Sequence, residues 1–167
     1  MKLKSLGGGL AAIVVLAAAG AHAKEGAMRL GTKPEELIAV KITVGDLEKS
    51  YDFYTRLVGL KPTDPEGAAA ARASTADFVE VGLNPSGSRR DPAILLIRRK
   101  GDVPDRASAR RTWVAFKTPD VAAAVSRIKA EGFEVRNEAT PHGGLTFGIV
   151  YDPDGYTVEF LAENDGG

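Results

Sequence analysis

An α+β fold of two βαβββ modules, their sheets forming a cleft with the helices outside, is predicted by three features of this sequence. A strand-then-helix pattern opens near Leu37 and is written again from Thr112. Each helix starts at an aspartate and stops at a glycine, and three further strand-like runs follow each. Asp46 and Asp120 lie 74 residues apart and Gly59 and Gly132 lie 73 apart. Self-similarity at a fixed spacing marks a duplicated unit.

In the first copy, Ile38, Val40, Ile42 and Val44 are apolar at every second position, the pattern of a half-buried strand. Asp46 is placed to cap the next helix, with Glu48 in its first turn, where the helix dipole favours a carboxylate. Leu47, Tyr51, Tyr54, Leu57 and Val58 recur at helical spacing, and Gly59 offers a left-handed stop. Strands are expected over 60–63, 77–83 and 93–99. The Ala-rich stretch 64–76 has no clear period and reads as a loop.

The second copy opens on a strand over 112–117, and Pro119-Asp120 begins its helix. Val121, Ala124, Val125 and Ile128 form the apolar stripe, and Gly132 ends it. Strands are expected over 133–137, 146–151 and 156–162, the last two joined by the tight turn Asp152-Pro153-Asp154-Gly155. The predicted organisation is a leader at 1–23, an extension at 24–36, modules at 37–100 and 112–162, a linker at 101–111 and a tail at 163–167.

The leader carries Lys2 and Lys4, an apolar run from Leu10 to Gly20, and small residues at Ala21-His22-Ala23. That is the layout of a cleaved secretory signal peptide, and the run is shorter than the roughly 20 residues that span a bilayer. The expected destination is the periplasm or the exterior, with no stable membrane insertion after cleavage. No twin-arginine pair precedes the run and no cysteine follows it.

Composition narrows the chemistry. The 167 residues include 22 basic and 22 acidic side chains, two histidines, one tryptophan and no cysteine. Without cysteine there is no disulfide framework, thiolate zinc site or thiol nucleophile. A balanced charge argues against nucleic acid as a partner. Cleavage after Ala23 would leave 20 basic against 22 acidic residues and one histidine, His142, so a site of several histidines in one chain is excluded. The local excess of arginine and lysine over 89–111 (eight basic residues against three aspartates) reads mainly as a solvated segment, with some capacity to attract anions.

The string Val44-Gly45-Asp46-Leu47-Glu48-Lys49-Ser50, running on to Phe53-Tyr54 and Leu57-Val58-Gly59-Leu60, resembles the opening of a glyoxalase/bleomycin-resistance/dioxygenase domain, the vicinal-oxygen-chelate superfamily. The ending Asp152-Pro153-Asp154-Gly155-Tyr156-Thr157-Val158-Glu159-Phe160 is similar to that family's closing hairpin. The likeness spans about 37–162. It implies a divalent metal held by four cleft-facing His, Gln or Glu side chains, one on the first and one on the last strand of each module. Such an ion would act as a Lewis acid on paired substrate oxygens.

Here the sequence departs from the family. Seven residues before Asp46 stands Ala39, and seven before Asp120 stands Trp113; the strand over 93–97 holds no acid and places Leu95 where a ligand is expected. Only Glu159 matches. One carboxylate does not hold a catalytic ion, even with His142 added, and Glu35 and Glu36 lie too early on the strand. No metal or other cofactor is therefore expected, unless the chain is a metal-dependent lyase or isomerase resembling lactoylglutathione lyase, or a related dioxygenase. In that alternative Glu159 would be a metal ligand or catalytic base.

Strand alternation places Lys41 and Thr43 on the face of Ala39, Ala115 and Lys117 on that of Trp113, and Thr157 and Leu161 beside Glu159, with Val158 and Phe160 turned to the helices. The resemblance thus implies a ligand site of Lys41, Thr43, Trp113, Lys117, His142 and Glu159, suited to a small organic, possibly anionic, molecule. Each also has a plainer role. Trp113 could fill core space, Lys41 and Lys117 could be solvated, and His142, in the glycine-hinged loop Thr140-Pro141-His142-Gly143-Gly144, could be a surface residue. Glu159 is expected to pair with one of the two lysines, because a lone buried carboxylate is costly. The two modules could face each other within one chain or exchange with a second copy in a homodimer.

Overall fold

The computed structural model describes residues 37–164. The leader at 1–23, the extension at 24–36 with Glu35 and Glu36, and the last three residues of the tail lie outside the described residues.

The first module runs β1 (Ala39–Thr43), α1 (Leu47–Asp52), β2 (Lys61–Pro62), α2 (Pro65–Ala73), β3 (Phe78–Asn84) and β4 (Ala93–Arg99). After a short α3 (Arg106–Ala109) the second runs β5 (Trp113–Lys117), α4 (Val121–Ala130), β6 (Val135–His142), β7 (Leu145–Tyr151) and β8 (Thr157–Glu163). Their sheets have the orders β1-β4-β3-β2 and β5-β8-β7-β6. In each, the edge strand β1 or β5 runs parallel to its neighbour and the remaining pairs are antiparallel. The duplicated βαβββ fold with helices on the outside is therefore present.

Local chemistry explains the helices. Asp46 and Asp120 both cap through the side chain, accepting from the N–H of Lys49 at 3.2 Å and of Ala123 at 2.9 Å. Gly59 and Gly132 end the helices at φ 95° and 85°, a conformation that a Cβ disfavours. From Phe53 to Val58 the first helix widens into a π-helix. Phe53 and Tyr54, at the start of this segment, are both wholly buried. Val121, Ala124, Val125 and Ile128 bury the predicted stripe of α4, and Val158 and Phe160 turn into the same core.

Four expectations are corrected. Residues 64–76 are not all loop: Pro65–Ala73 is a helix, with Asp64 accepting from Gly67 N–H at 3.0 Å and Pro65 in the first turn. Only Ala68 of α2 is buried, so no apolar stripe announced it. The linker also contains a helix, α3, which buries Ala109 and is capped by Asp105. The loop proposed around His142 is instead the end of β6, paired with Leu145 across a two-residue turn. The apolar alternation expected over 38–44 is buried only in its second half: Ile42 and Val44 are buried, while Ile38 and Val40 remain 44% and 43% exposed.

The modules are joined on their helical side. Tyr54 donates to Asp152 at 2.9 Å, and Asp154 accepts from Gly45 N–H at 2.9 Å and from the Ser50 hydroxyl at 2.8 Å. Tyr156 donates to the Thr43 carbonyl, Arg127 donates to the Leu57 carbonyl, and Arg56 forms an ion pair with Glu131 at 2.9 Å. The Phe53 and Phe133 rings meet edge to face. This junction leaves the opposite face of each sheet open.

Candidate functional site

Strand register defines what stands on the two open faces. In the first module Ala39 pairs with Ala93 and Lys41 with Leu95; in the second Trp113 pairs with Thr157 and Ala115 with Glu159. Leu95 and Glu159 are thus equivalent positions at the centres of the two faces, as are Ala39 and Trp113 at one end. The four strand positions offer a methyl, an isobutyl, an indole and one carboxylate. A divalent cation requires several oxygen or nitrogen donors, and this set does not fit one. Among the described residues no group of three or more His, Asp or Glu side chains comes together.

The first module's face is occupied by its own charges. Lys41 reaches across β4 to Glu80 at 3.0 Å, over the row that holds Leu95 and Gly82. Thr43 is half-buried, with its carbonyl taken by Tyr156. Lys117 pairs with Glu163 at 2.8 Å, and Lys117 holds the Glu163 carboxyl below its ordinary range through that hydrogen bond. The expected pairing of Glu159 with Lys41 or Lys117 is therefore wrong. Each lysine has found an acid on its own sheet, and Glu159 makes no ion pair among the described residues.

The second face is ordered in rows. Trp113, Thr157 and Tyr151 lie side by side; the next row is Ala115, Glu159 and Ile149; the third is Lys117, Leu161 and Phe147. Thr157 is fully buried and donates its hydroxyl to the Arg110 carbonyl at 2.8 Å, so it forms floor rather than contact surface. Trp113 is 47% exposed, which places it as a wall and not as core filling. His142 stands at the diagonally opposite corner, exposed on the far edge strand β6, with its ring edge-on to Phe147. The structure therefore groups Trp113, Lys117 and Glu159 on one face, keeps His142 at its margin, and leaves Lys41 and Thr43 on the other module, with no hydrogen bond or ion pair linking their side chains to that group.

Two side chains on this face were missed by sequence reasoning. The Arg136 guanidinium lies over the Trp113 ring, 5.4 Å from its centre, and Arg110 lies over Tyr151 at 4.2 Å while pairing with Glu134 at 2.6 Å. Arg136 sits on β6 and Trp113 on β5, the two outer strands of the sheet. Their contact crosses β8 and β7 and has no signal in chain spacing.

A family model of the Glyoxalase/Bleomycin resistance protein/Dioxygenase superfamily matches residues 37–160. The chain belongs to that superfamily. Within it, the chain is 31% identical over 134 residues to a lactoylglutathione lyase of Neisseria meningitidis, covering 78% of this chain and 92% of that one. It is 32% identical over 133 residues to a lactoylglutathione lyase of Escherichia coli O157:H7, covering 78% and 95%. Among solved structures, glyoxalase I of Leishmania major superposes with a TM-score of 0.62 at 24% identity, covering 78% of this chain and 88% of that one. TnmS3, an antibiotic-binding protein from Streptomyces sp. CB03234, gives 0.59 at 19% identity, covering 80% and 99%. These last two likenesses concern the fold of this superfamily member.

Proposed function

We propose that this superfamily member is an exported binder of a small organic ligand, seated on the open face of the second module without the family's metal ion. One observation carries the reading: of the four strand positions suited to ligands, three hold Ala39, Leu95 and Trp113, and the fourth, Glu159, has a tryptophan wall beside it and no neutralising partner among the described residues. An open sheet face with an aromatic wall and polar side chains left unpaired among the described residues can seat a small molecule. The fold has a binding precedent in TnmS3. Export rests on the layout of residues 1–23.

A second reading is favoured by the 31–32% identity to lactoylglutathione lyases. It makes the chain a metal-dependent lyase or isomerase, with Glu159 as ligand or base. Metal analysis of the purified protein separates the two. Binding without metal predicts far less than one equivalent of nickel, zinc, iron or manganese, unchanged in Glu159→Ala, together with a saturable change in Trp113 fluorescence on adding a small ligand. Near-stoichiometric metal that is lost in Glu159→Ala, accompanied by formation of lactoylglutathione, overturns it.

A further inference from the structure

We propose that Arg136, held over the Trp113 ring, anchors the carboxylate of a small aromatic acid. The acid's ring rests on the Ala115 floor, and Glu159 accepts a hydrogen bond from a donor at its far edge. This inference rests on the binding reading above and names the ligand class for that face.

The charges on the second face divide into two sets. Lys117 and Arg110 are spent on Glu163 and Glu134. The side chains of Arg136 and Glu159 make no hydrogen bond or ion pair among the described residues. Arg136 nevertheless has a contact of its own, with the Trp113 ring. A guanidinium over an indole face is attracted by the ring quadrupole, and its N–H edges stay free. An unpaired, pre-positioned guanidinium fork matches the two oxygens of a carboxylate, which it binds in bidentate fashion.

The neighbouring row sets the shape of the rest. Ala115 stands between Trp113 and Lys117 on β5, so its methyl leaves a low floor between two long side chains. Glu159 is directly beside Ala115. Successive rows on one face are about 7 Å apart along a strand, close to the length of a benzoate from its carboxylate to a para substituent. A phenol or aniline donor at that end would hydrogen-bond to the half-buried Glu159 carboxylate, which has no side-chain partner among the described residues. The first module cannot do the same: its central position is Leu95, and Lys41 and Glu80 close across it.

The test uses 4-hydroxybenzoate as the anionic probe and 4-hydroxybenzamide as its neutral counterpart, read by the fluorescence of the single tryptophan and by calorimetry. Expected is saturable binding of 4-hydroxybenzoate, at least tenfold weaker in Arg136→Gln and severalfold weaker in Glu159→Gln. The benzamide should bind the unaltered protein at least tenfold more weakly. Arg136 is exposed, so its replacement should leave the fold intact, which circular dichroism checks. The benzamide comparison needs no variant. Equal binding of the two probes, or Arg136→Gln binding as well as the parent, overturns the anchor while leaving the binding reading in place. So does saturable binding of other small molecules without 4-hydroxybenzoate. No response to any molecule in a panel that includes neutral aromatics and aliphatic acids overturns both.

Discussion

The hydroxyl of Tyr54, in the first module, donates to the carboxylate of Asp152, in the second, at 2.9 Å, and both side chains are buried. Asp152 also accepts from the backbone N–H of Asp154, Gly155 and Tyr156 at 2.8–3.0 Å, so it shapes its own turn while holding the other module. Burial, reinforced by the charge of Asp152, raises the Tyr54 hydroxyl well above its ordinary range and keeps it a donor. The same burial pushes the Asp152 carboxyl up to about 6 from 3.8, against the hydrogen bonds from Tyr54 and the backbone that pull it down.

Stability should therefore depend on acidity at this junction. The folded chain holds the Asp152 proton more tightly than the unfolded chain does. The resulting stabilisation is complete below about pH 4 and is lost as pH rises through 6. A shift of this size corresponds to about 3 kcal/mol. Asp152→Asn retains an oxygen for the backbone N–H groups and does not titrate. Urea unfolding at intervals from pH 4 to 7.5 should show the parent losing about 2–3 kcal/mol relative to this variant. A difference that stays flat across the range contradicts the raised value.

Packing between β7 and α4 is tight at one glycine. A Cβ added at Gly148 would lie 2.6 Å from a methyl of Val125 and 2.8 Å from a methyl of Val121. Both valines are buried, so neither has open space to move into. Gly148→Ala should cost about 1–3 kcal/mol by overpacking and lower the thermal midpoint by several degrees. Gly132→Ala provides the contrast: beyond the adjoining chain nothing crowds the added carbon within 4 Å, and the cost there comes from its φ of 85°. Calorimetry on the two variants separates crowding from backbone strain.

Glu159→Leu converts the centre of the second face to the residue found at the equivalent position of the first. Glu159 forms no ion pair among the described residues and is half-buried, so its removal leaves no stranded partner. The variant should match or exceed the parent in stability, within about 1 kcal/mol, while severalfold weakening the binding of a hydroxylated aromatic acid. Urea unfolding and titration by Trp113 fluorescence check the two halves of this expectation. A large loss of stability would mean that the carboxylate supports the fold instead of serving a ligand.

What chain order alone reveals follows the range of the interaction. The caps at Asp46 and Asp120, the stops at Gly59 and Gly132 and the stripe of α4 are contacts within a few residues, and all were legible. Strand alternation also placed Val158 and Phe160 in the core. The helix Pro65–Ala73 was hidden because alanine carries little apolar contrast between faces, although the Asp64-Pro65 start was there to be read. The partners of Lys41 and Lys117 and the stacking of Arg136 on Trp113 depend on which strands are neighbours and how far a long side chain reaches across them. Spacing along the chain does not encode that.

The equivalence of Leu95 and Glu159 makes one half of the molecule an internal control for the other. A fragment, ion or reagent that perturbs both halves alike is responding to the shared scaffold. One that distinguishes them is reading the few side chains by which the halves have diverged, without any need for a second protein as reference.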